Sequence, residues 1–132
     1  MLVKLLDKKS GLQSDEMEVI QEFLKFCQQG HPLKRDVEIH LLGERYGKMT
    51  TGSESLGKIK ILSEGRMLID ILRTISHEWV HEYQCQIMGV PEDEPIQDIG
   101  GPEENMASVL SSIFIKKFQK QFPQHQEKLY SE

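Results

Sequence analysis

The chain predicts an α+β fold in one domain spanning residues 1–132, and three observations carry that prediction. Residues 67–88 hold a long apolar stripe at helical spacing. Residues 36–42 and 58–62 alternate polar and apolar, the period of a half-buried strand. The length, 132 residues, is enough for one core and not for two.

Taken in order, residues 1–9 hold only a short apolar run with no small-residue cleavage site, so they do not read as a signal peptide. A first helix is expected over 15–29, with Ser14 as its cap and 30–32 (Gly-His-Pro) as its stop. Met17, Ile20, Phe23, Leu24 and Cys27 supply its buried stripe. A strand follows at 36–42, then a turn at 43–47. Two more short strands, 48–51 and 58–62, are separated by a loop at 52–57. In the helix over 67–88, Leu68, Ile71, Leu72, Ile75 and Trp79 fall at i, i+3, i+4 spacing, and Gly89 and Pro91 end it. Pro102 reads as the first residue of a last helix, capped by Gly101, with the stripe Ala107, Leu110, Phe114 and Phe118. The expected order is an N-terminal helix, about three strands, a long helix, a loop and a final helix.

Composition excludes several classes. No apolar run approaches the ~20 residues of a membrane span, so no membrane partner is expected. Cys27 and Cys85 are too few and too scattered for a disulfide scaffold, and point to a reducing, cytoplasmic setting. The net charge is −5, and residues 61–104 alone carry ten acids against Arg66 and Arg73. Such a field attracts a dication, favours basic or neutral peptides and disfavours nucleic acid.

The second half of the long helix carries His77-Glu78-Trp79-Val80-His81. Residues four apart share a helix face, so the two imidazoles can meet one ion. A catalytic zinc takes three protein ligands and keeps a fourth position for water. Glu78 sits where a carboxylate could take a proton from that water as general base and pass it on as general acid. The third ligand could come from Glu103, Glu104 or His125. Glu104 lies three residues before Ala107, on the side of the last helix that must pack inward. Glu103 is turned about 100° away by the helical period. The expected metal ligands are therefore His77, His81 and Glu104, holding Zn²⁺.

With these residues in view, the chain resembles zinc peptidases of the glutamate-zincin group, in which a Glu some twenty-odd residues after the two-His motif completes the site on a second helix. Its compact order also looks like the ImmA/IrrE-type metallopeptidases, whose corresponding helix often begins Glu-x-x-Ala-Asn. Here that stretch is Glu104-Asn105-Met106-Ala107-Ser108. The resemblance covers roughly residues 56–118 and is motif-level only. It implies a minimal zincin-like domain and a zinc-dependent peptidase acting on peptide or protein substrates. The chain departs from the pattern at Ser108, where Asp or Asn usually supports a ligand. A Ser there could still form a hydrogen bond to an imidazole or to Glu104. Glu82-Tyr83-Gln84 is also similar to SprT-like proteins, but their third ligand is usually a His, and none follows His81 before His125.

Other readings complete the set. Residues 58–62 would be an edge strand, either pairing with extended substrate or simply guarded from aggregation by Lys58 and Lys60. Tyr46, Tyr83 and Tyr130 are candidates for stabilising an oxyanion. His31 reads as an exposed turn residue, His40 as a strand residue without a metal role, and His125 as part of a polar tail. Trp79 faces away from the ligands into the core. A set of His77, His81 and Cys85 spreads over two helical turns and converges poorly on one ion. The alternative function is a non-proteolytic zinc-binding regulatory or interaction protein with the same fold.

Overall fold

The computed structural model describes residues 3–8, 11–43, 52–55, 57–90 and 102–131. The elements are β1 (Val3–Lys8), α1 (Ser14–Gly30), β2 (Val37–Leu42), β3 (Gly52–Ser55), β4 (Lys58–Leu62), α2 (Leu68–Gln86) and α3 (Pro102–Gln121). A 3-10 turn (Pro123–His125) and a short α4 (Gln126–Leu129) follow. The fold is α+β. One four-stranded sheet has the order β1-β2-β4-β3, with β1, β2 and β4 parallel and β3 antiparallel to β4.

Alternation builds the sheet. Val37, Ile39, Leu41, Ile59 and Ile61 are buried and fall on one face. They join Ile20, Phe23 and Leu24 of α1 and Leu68, Ile71, Leu72, Ile75 and Trp79 of α2 in a single core. The alternate positions carry Glu38, His40, Lys58 and Lys60, where Glu38 stands beside Lys58 in register. α3 closes the other side of α2. Phe118 meets Phe23 edge to face at 5.0 Å, and Phe26 contacts both Phe114 and Phe118.

Several expectations change. Among the described residues the sheet has four strands where about three were expected, and a strand, not a helix, comes first. β1 is recruited because α1 carries the chain back over the sheet to a parallel neighbour, a pairing that local pattern does not reveal. The segment read as a loop contains β3, whose polar Gly-Ser-Glu-Ser sequence is strand only because β4 pairs with it. β4 is therefore internal, not an edge: among the described residues β3 is the outer strand on that side. The strand expected at 48–51, Tyr46 and the Gly101 cap lie outside the described residues. Gln13, not Ser14, caps α1, and its N–H donates to the Glu16 carboxylate at 3.0 Å. No helix among the described residues is long and apolar enough to cross a membrane.

β3 sits directly on α2, and a glycine permits it. A Cβ on Gly52 would come within 2.5 Å of Thr74 Cγ2 and 3.3 Å of Glu78 Cγ. Gly52→Ala is expected to cost about 1–3 kcal/mol, as overpacking of a close contact does. Thermal unfolding checks it; an unchanged Tm would mean that the strand is not seated against the helix.

Candidate metal centre

α2 is unbroken through the motif because no Pro or Gly interrupts 68–86 and its apolar stripe is covered by the sheet and α1. Trp79 is fully buried on the far side and donates its indole N–H to the His31 carbonyl at 2.9 Å. That contact sets the rotation of the helix. His77 and His81 then emerge together towards α3, their rings 4.8 Å apart.

α3 brings the third group. Ala107 is fully buried against Val80 and Phe114, so the small side chain lets the two helices approach closely. Glu104, one turn earlier, is thereby aimed at the imidazoles. Its Oε1 lies 2.8 Å from His77 Nε2 and its Oε2 lies 3.1 Å from His81 Nε2; the two Nε2 atoms are 3.2 Å apart. One ligand atom from each of His77, His81 and Glu104 falls within 4.8 Å of the others, and these three residues could hold a metal ion.

The donors fit such an ion chemically. His81 Nδ1 faces the side-chain oxygen of Gln84 at 2.9 Å, and the amide nitrogen of Gln84 donates to the Glu103 carbonyl at 3.0 Å. A neutral His81 therefore has its proton on Nδ1 and its Nε2 lone pair towards His77 and the carboxylate. Lone pairs of Nε2 and of the carboxylate then converge on one point, where a metal ion or a shared proton would relieve their repulsion. Two imidazoles and one carboxylate are the donor set of many zinc sites.

Electrostatics follow burial. Desolvation lowers the pKa of His77, opposed by the adjacent Glu104 charge, and keeps the imidazole neutral to lower pH. Glu78, beside the cluster and under Gly52, is pushed up to about 7, first by burial and then by the charge of Glu104. A carboxyl poised there both takes and gives protons near neutrality.

The remaining candidates fall elsewhere. Glu103 contributes its carbonyl to Gln84 rather than a ligand atom. Ser108 is exposed, so the support expected from it is absent, and the hydrogen bond to His81 comes from Gln84 on α2 instead. Tyr83 packs edge to face on His31 at 4.8 Å, within the core. Tyr130 accepts a hydrogen bond from Gln119, fifteen residues and about 22 Å along α3 from Glu104. His31 is not an exposed turn residue: it is half-buried between Tyr83 and Phe114. His125 is not in a loose tail either; it pairs with Glu22 of α1, and Leu129 beyond it is fully buried. His40 bonds to Glu38 at 3.0 Å on the sheet.

Two polar groups, read in the sequence only as part of Glu82-Tyr83-Gln84, make contacts that do not follow from it. Gln84 is one. Glu82 is the other: fully buried, it accepts the N–H of Gly57 at 3.0 Å with one oxygen and Gln86 Nε2 at 3.0 Å with the other. Gly57, at φ +78°, makes the turn between β3 and β4, so Glu82 ties that hairpin to α2. The only available signal was a polar side chain at a position where the helix should be inside.

No protein-family model, curated protein or solved structure matches this chain.

Proposed function

We propose that the chain is a zinc-dependent peptidase, a minimal zincin-like domain in which His77, His81 and Glu104 hold the metal and Glu78 moves the proton. The observation that carries this reading is the convergence of two imidazole nitrogens and a carboxylate beside a second, partly desolvated carboxyl, that of Glu78. When bound, zinc would polarise a scissile carbonyl and lower the pKa of a water to about 7. The role of Glu78 is to take that water's proton on a carboxylate oxygen and deliver it to the leaving amine nitrogen. Gly52 leaves β3 close enough to exclude water from one side of Glu78. An extended peptide laid along the outer side of β3 would gain main-chain hydrogen bonds with little demand on sequence. The acids between 61 and 104 favour basic or neutral peptides there.

The test is elemental analysis of protein purified without added metal, followed by digestion of a mixed peptide pool. One zinc per chain and chelator-sensitive cleavage are expected. A chain free of transition metal that also fails to take up zinc on titration ends this reading. Zinc bound by four protein ligands, with no cleavage and no binding of a hydroxamate, favours the non-proteolytic alternative.

A further inference from the structure

Gln84 is fully buried, one turn beyond His81 on α2, with both ends of its amide engaged. The nitrogen is committed to the Glu103 carbonyl, so the atom facing His81 Nδ1 is the oxygen, which only accepts. That acceptor favours the imidazole proton on Nδ1, against Glu104 Oε2, which at 3.1 Å from Nε2 competes for it while no metal is bound. An imidazole lacking such a partner is free to carry its proton on Nε2, where it would block the donor atom. The other contact of the amide is equally placed: Glu103 immediately precedes Glu104 in the first turn of α3.

We propose that Gln84 is the positioning residue of the metal centre. It holds His81 in the tautomer that offers Nε2 and pins the first turn of α3 so that Glu104 reaches the two imidazoles. One side chain on α2 thus aligns ligands from both helices. The proposal rests on the metal reading above. It differs from a merely space-filling role, which would leave the tautomer indifferent to the amide.

The experiment uses the full chain, ¹⁵N-labelled and free of metal, in alkaline buffer where imidazoles are neutral. Two-bond ¹H–¹⁵N correlations read which His81 nitrogen bears the proton, and zinc titration gives the Kd separately. Wild type is expected to show Nδ1–H. Gln84→Met, similar in length but without hydrogen bonds, is expected to populate Nε2–H and to bind zinc about 10–100-fold more weakly. Gln84→Glu can still accept from Nδ1 but cannot donate to Glu103. It should restore the Nδ1–H form and recover only part of the affinity. If Gln84→Met does not fold, the wild-type and Gln84→Glu spectra decide. Zinc binding by wild type with His81 protonated on Nε2, or Gln84→Met with unchanged tautomer and Kd, overturns the role of Gln84 alone. A wild type that takes up no zinc overturns the metal reading and this proposal with it.

Discussion

Glu78→Gln is expected to retain zinc and to lose hydrolysis by about 10²–10⁴-fold, the usual contribution of a positioned acid–base group. Gln keeps the size of the side chain under Gly52, so packing against β3 is preserved. It cannot take up a proton, and that is the part the proposed reaction requires. Glu78 also stands outside the set of donors that converge, so its loss would leave a bound metal in place. His77→Ala or His81→Ala should lose both metal and activity. Metal content and turnover, measured side by side, check the assignment. If Glu78→Gln releases zinc as readily as the His variants, Glu78 is a ligand and the division of roles fails.

The second large effect separates two neighbours. Glu104→Ala should weaken zinc binding by more than about 100-fold, beyond the range typical of residues that only support a ligand. Glu103→Ala should leave the Kd nearly unchanged and cost at most about 0.3–1 kcal/mol, the worth of an acidic side chain at a helix start. The reason is rotational. Ala107 is fully buried on Val80, and the same face one turn earlier is Glu104, with oxygens 2.8 Å and 3.1 Å from the two imidazoles. Glu103 meets α2 through its backbone carbonyl, which an alanine retains. The opposite ranking of the two zinc affinities would mean that α3 is turned from this position.

Much of this was legible because it depends on short-range periodicity. The stripe from Leu68 to Trp79 specifies a helix and its buried side, and with it the side on which His77 and His81 must emerge. The three-residue step from Glu104 to Ala107 does the same for α3, so placing Glu104 rather than Glu103 beside the imidazoles needed only the helical period. β2 and β4 announce themselves by alternation, since one of their faces is buried and apolar and the other carries Glu38, His40, Lys58 and Lys60.

Tertiary structure alone decided the rest. β1 and β3 are strands because a neighbour pairs with them, and a backbone partner leaves little mark on the sequence of a short outer strand. Pairing also made β4 internal, so that among the described residues the outer strand on that side is the polar segment beside Glu78. The support for His81 came from Gln84 on its own helix instead of from Ser108, because the rotation of α3 that buries Ala107 leaves Ser108 facing outward. His31 and His125 took packing and pairing roles once distant aromatic and acidic groups closed over them. The sequence by itself determined on which helix faces His77, His81 and Glu104 stand. Which polar neighbours orient them was set only when the faces met, because a hydrogen bond between elements depends on their relative rotation and translation to within about an ångström, and no local pattern encodes that.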